Sequence, residues 1–179
     1  MDLIHKIKGN KILQFVLVGG AAYLIWLLGY NILIKEYTSW DYYLNYNIAD
    51  LTVTFFHWVN VEAAMEIDSD HVIVSFPLSN YRGVWVGDNC NGFKLFSIFS
   101  IFLIAYPANW KSKLWFIPLG IIIVHLANII RIMALVIIND TNPAYLDFNH
   151  DYTFTIFVYS IIFGLWYWWL KKFSGDAKK

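Results

Sequence analysis

One cysteine stands in 179 residues, Cys90, in the run Asp88-Asn89-Cys90-Asn91-Gly92-Phe93-Lys94. The polar turn ends where an apolar stretch from Phe93 to Tyr106 begins, so Asn89 or Asn91 can cap the first free amides of a helix. Cys90 is then expected at a helix N-terminus, where the positive end of the dipole and Lys94 one turn on favour thiolate over thiol. Far along the chain, His150 precedes another apolar stretch. Cys and His form the minimal pair for thiol catalysis, because an imidazole can take the thiol proton and return it to a leaving amine. Arg131 interrupts the apolar run Leu114 to Ile138 and can supply donors and charge to an oxyanion in a site of low dielectric. Asn128, three residues earlier and on nearly the same helix face, is placed to hydrogen-bond the guanidinium.

Each residue also has a plainer reading. A lone Cys is often a small buried hydrophobe, an Arg in a span can snorkel or pair with an acid such as Asp140, and His150 can be a loop or capping residue. His57 and His71 compete with His150 for the acid-base role.

The chain is 59% hydrophobic and only 15% charged, with a mean hydropathy of +0.50, whereas soluble domains carry about a quarter charged residues. The expectation is an all-α polytopic membrane protein, one domain over residues 1–179, with four spans near 12–34, 91–108, 114–138 and 152–170. The apolar run after the basic start is longer than that of a signal peptide and no small-x-small site follows, so it reads as a retained span. Gly19-Gly20-Ala21-Ala22 suits close helix packing. Residues 35–90 form an extracytoplasmic segment. Within it Trp40 to Glu66 reads as one or two helices lying on the membrane or against the bundle, because Asp41, Asp50, His57, Glu62 and Glu66 are costly against lipid. The runs His71 to Phe76 and Val84 to Val86, around Pro77 and Gly83, suggest a β-hairpin.

Four crossings with a cytoplasmic N-terminus leave nine of the thirteen Lys and Arg inside, at 6, 8, 11, 111, 113, 171, 172, 178 and 179, with only Asp2 and Asp176 among the acids. The positive-inside rule is satisfied. Cys90, Arg131 and His150 then converge on the extracytoplasmic face of the membrane.

Cys90-Asn91-Gly92 at a span entrance, Asn128-Ile-Ile-Arg131 in the next span and His150 before the last resemble the Cys-x-Gly, Asn-x-x-Arg and His motifs of the exosortase and archaeosortase family. The similarity covers about residues 80 to 170, and the short chain resembles exosortases of the F type. The resemblance implies a membrane cysteine protease or transpeptidase acting on exported proteins that end in a sorting signal: a short motif, a transmembrane helix and a basic tail. It implies Cys90 as nucleophile, Arg131 as transition-state stabiliser and His150 as proton-transfer residue. Archaeosortases typically carry Arg in the last position, so within the resemblance His150 points to the bacterial branch and implies a bacterial inner membrane. Asn89 and Asn91 depart from the small residues that commonly flank the cysteine.

Two other functions fit the same residues. A membrane acyltransferase would use the same Cys and His on an acyl donor, and a non-catalytic assembly factor would need neither. No cofactor is called for. Cys and several His could hold zinc, but no HxxH or HExxH spacing supports it, and the basic clusters read as topology signals rather than nucleic-acid contacts, leaving membrane lipid and the substrate protein as partners.

Overall fold

The computed structural model describes residues 10–69, 71–88 and 90–173. Helix α1, Lys11–Gly29, starts under an Asn10 cap whose side-chain oxygen accepts from the amides of Ile12 and Leu13 at 3.1 and 3.2 Å, and it continues through a wide π-type turn at Tyr30–Ile34 to Tyr37. Helix α2 is Trp40–Trp58. It stops where Asn60 takes a φ of 58°, a left-handed conformation that Asn tolerates after a helix end. Three strands follow: β1 Ala64–Asp68, β2 His71–Ser75 and β3 Val84–Val86. Helix α3 is Phe93–Ala105, α4 is Trp110–Thr141, and α5, Phe154–Phe173, is preceded by short helical turns from Pro143 to Thr153.

The strands form an antiparallel sheet in the order β1-β2-β3. Val72 lies opposite Val86 and Val74 opposite Val84, so alternation puts these four valines on one face. That face is buried on Ile48 and Phe56 of α2 and on Ile132 and Leu135 of α4. The expected hairpin is present as β2 and β3, and β1 extends it. Glu66, read from sequence as the end of a helical stretch, lies in β1, because the backbone has already turned at Asn60 and turns again at Ser69, φ 58°.

A second core lies further down α4, where Phe116 and Val124 meet Phe99 and Leu103 of α3 and Ile162 and Trp169 of α5. At about 1.5 Å per residue α4 is about 48 Å long, more than a hydrocarbon core of about 30 Å, so one helix serves both cores. Lys113, almost fully buried, donates to the carbonyls of Ile104 and Tyr106 at 2.9 and 2.7 Å and so ties the end of α3 to the start of α4.

The chain is a membrane protein with several apolar helices. Among the described residues, three helical stretches are long and apolar enough to cross a bilayer: Ile12–Tyr37, Trp110–Thr141 and Pro143–Phe173. The region expected as a span at 91–108 contains α3, a shorter apolar helix of 13 residues, about 20 Å of rise. Helix α2 packs against α4 and the sheet, in keeping with a helix docked on the bundle. Of the basic residues used for orientation, 6, 8, 178 and 179 lie outside the described residues.

Helices α3 and α4 approach so closely that a Cβ at Gly120 would stand in the ring of Phe99. Gly120→Val is expected to cost about 1–3 kcal/mol through overpacking, read as a lower thermal unfolding midpoint in detergent micelles. An unchanged midpoint would contradict this packing.

Candidate active site

Strand β3 runs into a tight loop in which the Cys90 amide donates to the Gly87 carbonyl at 2.7 Å. The next residue, Asn91, is fully buried and works in two directions. Its side-chain oxygen accepts from the Phe93 amide at 2.9 Å, capping α3, and its Nδ2 donates to Asp41 Oδ1 at 2.6 Å. Asp41 Oδ2 accepts from the Tyr30 hydroxyl at 2.8 Å. Asn45 Nδ2 donates to Asp88 Oδ1 at 3.2 Å. Helix α2 thus holds the cysteine loop through polar contacts, and Tyr30, in the turn that follows Gly29, joins them through Asp41. Gly92 turns the chain at φ 79°, and a Cβ there would also strike the side-chain amide of Asn128. Glycine meets both demands. The capping role expected of Asn91 is present, whereas Asn89 lies outside the described residues.

His150 sits in a wide π-type turn, Asn149–Thr153, immediately before α5. Its Nε2 lies 2.9 Å from Cys90 Sγ and its Nδ1 2.8 Å from Asp151 Oδ1. An ionised carboxylate only accepts, so Nδ1 carries the proton and the Nε2 lone pair faces the thiol. The His150 carbonyl accepts from Arg131 Nη2 at 3.2 Å and from Thr155 Oγ1 at 3.3 Å. Arg131 therefore reaches the histidine segment through backbone, and its Nε has no partner among the described residues.

Burial pushes the Cys90 thiol above its ordinary pKa. The Arg131 charge and the Gly87 backbone pull it back, Asp151 adds to the rise, and desolvation prevails. This corrects the expectation of a thiolate favoured by the helix dipole and Lys94. Cys90 stands ahead of the Gly92 cap, 3% exposed and packed in the core beneath the sheet, so loss of water dominates. Lys94 lies with its Nζ 5.6 Å from the centre of the Tyr30 ring.

Two cavities meet at the imidazole. One, of about 240 Å³, is lined by Cys90, His150, Trp85, Gly87, Tyr30 and Lys94 among others. The other, of about 310 Å³, is lined by Arg131, His150, Asp151, Leu95 and Tyr159 among others. They share Asp88, Lys94 and His150.

Asn128 does not hold the guanidinium. Its amide is fully buried against Gly92, and neither amide atom has a hydrogen-bond partner among the described residues. The rival histidines are engaged elsewhere, His57 at the Ala63 carbonyl and His71 on the Trp85 ring. Sequence reasoning missed Asp151, Asp41 and Tyr30. Asp151 had the signal of adjacency to His150. Asp41 had only its cost against lipid, and nothing in the spacing ties it to Asn91, fifty residues away.

A family model described as transmembrane exosortase matches residues 7–168. No curated protein and no solved structure matches the chain.

Because Cys90 is the sole cysteine, a thiol reagent reads this site alone. The rate of iodoacetamide alkylation is expected to keep rising with pH beyond the range of an ordinary thiol, since its pKa is raised. Arg131→Met removes a charge that lowers the pKa and should move the profile to higher pH; Asp151→Asn removes one that raises it and should move the profile lower. A rate already flat in mildly acidic buffer would mean a preformed thiolate and would contradict this balance.

Proposed function

The chain belongs to the transmembrane exosortase family, and on that premise we propose that it is a membrane-embedded cysteine transpeptidase or peptidase that processes C-terminal sorting signals of exported proteins. The observation that carries this reading is the 2.9 Å contact between Cys90 Sγ and His150 Nε2, with Asp151 behind the ring.

In this mechanism the thiol proton passes to His150 Nε2 as Cys90 Sγ attacks the scissile carbonyl carbon. The tetrahedral oxyanion draws on Arg131, whose buried guanidinium borders the adjoining cavity. Collapse breaks the C–N bond, the Nε2 proton goes to the leaving amine, and a thioester remains on Cys90. Water or a second amine then attacks the thioester, and His150 again accepts and returns a proton. Asp151 accepts from Nδ1–H throughout, which fixes the tautomer and stabilises the imidazolium that forms. A raised thiol pKa suits this scheme, because the nucleophile is generated by transfer to His150 rather than stored as thiolate.

The same reading assigns α3 and its flanks, 91–108, to a fourth crossing, both termini to the cytoplasm, and the site to the extracytoplasmic face of a bacterial inner membrane. Its support is the separation of charge: Lys111, Lys113, Lys171 and Lys172 lie at helix ends remote from the sheet and from Cys90.

The test is trapping in a native host membrane. With Cys90→Ala, mass spectrometry should find an uncleaved single-pass protein with a basic C-terminal tail. Arg131→Ala and His150→Ala should slow its processing by about 10²–10⁴-fold while the protein stays folded. Processing unchanged across the exported proteome by Cys90→Ala would overturn the proposal.

A further inference from the structure

A polar cavity of about 610 Å³ lies where the apolar stretch Ile12–Tyr37 gives way to α2, with Lys35, Ser39, Asp41, Tyr43, Asn45 and Asp88 among its walls. It adjoins the Cys90 cavity, because Lys35 and Asp88 line both. Lys35 is exposed, so the join runs along the surface of the protein. Tyr37, Trp40 and Tyr43 are exposed beside it, aromatic side chains of the kind that mark the boundary between lipid and water. An occupant here stands at that boundary and not among hydrocarbon tails.

The walls are rich in acceptors. Asn45 is only 5% exposed; its Nδ2 donates to Asp88 Oδ1 at 3.2 Å, and its Oδ1 has no hydrogen-bond partner among the described residues. An ionised carboxylate only accepts, which fixes the amide in this orientation and leaves Oδ1 as the orphan. Asp41 and Asp88 add two negative charges to the walls, against Lys35 alone. A buried acceptor left unmet is costly, so the chamber calls for donors. A lipid phosphate brings acceptors and negative charge. A peptide brings an N–H group with nearly every residue.

The substrate class proposed above changes character at the scissile bond, with a polar exported chain before it and an apolar helix after it. The cavities around His150 differ in the same way. The one that holds Arg131 also has Leu95 of α3 and Val158 and Tyr159 of α5 in its walls and reaches between apolar helices, whereas the chamber beyond Lys35 and Asp88 is polar. From this match we infer that the polar chamber binds the segment N-terminal to the scissile bond, as an extended peptide whose N–H groups face the acceptors of Asn45 and Asp88, and that it thereby selects the recognition motif of the substrate. The inference rests on the function proposed above.

Ser39 is the place to test it. It lines the chamber, is exposed, and makes no side-chain capping bond to α2, so its replacement leaves the cysteine loop untouched. The full chain in native membranes is supplied with increasing amounts of the precursor that accumulates with Cys90→Ala. Ser39→Trp, which fills the chamber, should raise KM for processing about tenfold with kcat unchanged, the pattern of lost uniform binding. Ser39→Lys, which sets a second cation among the acceptors, should raise KM as well, and Ser39→Ala should process normally. Cys90 alkylation and the thermal midpoint of Ser39→Trp should stay at wild-type values. With p-benzoyl-L-phenylalanine at position 39 in the Cys90→Ala chain, irradiation should join the enzyme to precursor residues before the scissile bond. An unchanged KM with Ser39→Trp, a lower KM with Ser39→Lys, or cross-links only to lipid or to residues after the scissile bond would overturn the motif site and leave the enzyme reading standing. The absence of any precursor with Cys90→Ala would remove the enzyme reading, and the motif site with it.

Discussion

A thiol and an imidazole 2.9 Å apart, contributed by segments sixty residues apart, impose the main demand on this fold. Neither group sits on a regular element. Cys90 is in a loop that a left-handed Gly92 closes, and His150 is in a wide turn that feeds α5. Such backbone holds its shape only when its surroundings over-determine it. Here the surroundings are the sheet face and α2 around Cys90, and Arg131 and Thr155 at the His150 carbonyl. Helix α4 joins the two sides, because its upper part packs under the sheet and its lower part against α3 and α5.

Burial of the cysteine sets the chemistry of the pair. Burial strips water from the sulfur, and that cost raises the thiol pKa here despite the nearby guanidinium. Asp151 pulls two ways. Its charge disfavours the thiolate, yet by accepting from Nδ1 it leaves the Nε2 lone pair facing sulfur. With its pKa raised and an acceptor in place, the sulfur keeps its proton until that proton can pass to Nε2. Arg131 favours the charged state from its side of the histidine, so the balance belongs to the group of four and not to any one of them.

Helix α1 is attached differently from the rest. Near the site, Tyr30 bonds to Asp41 and its ring stacks on Trp26 and lies 5.8 Å from that of Phe93. At the far end Phe15 meets Phe102 and Tyr106. Between these clips lies an apolar groove lined by Phe15, Gly20, Tyr23, Ile98 and Trp166 among others. The Tyr30–Asp41–Asn91 chain of hydrogen bonds makes the upper clip part of the cysteine loop, so the placement of α1 and the shape of the loop are physically joined.

Hydrophobic run lengths, read on their own, were enough to class the chain as a membrane protein and to bring out its long apolar helices, since a bilayer demands continuous apolar stretches whatever their neighbours. Turn residues located the β2–β3 hairpin, and motif order carried the resemblance to the exosortase family. Tertiary structure decided the remainder. Strand β1 depended on the turn at Asn60 and on a sheet edge that β2 provided, and a five-residue run carries no such information. The thiol pKa depended on how much water the fold removes, which outweighs a helix dipole that sequence can suggest. Asn128 and Arg131 share a helix face, but a face is broad, and the packing of Gly92 against one and of the His150 carbonyl against the other sent the two side chains to different partners. Asp41 meets Asn91, and Tyr30 meets Asp41, only because three helices come together, and spacing along a chain does not encode such a meeting.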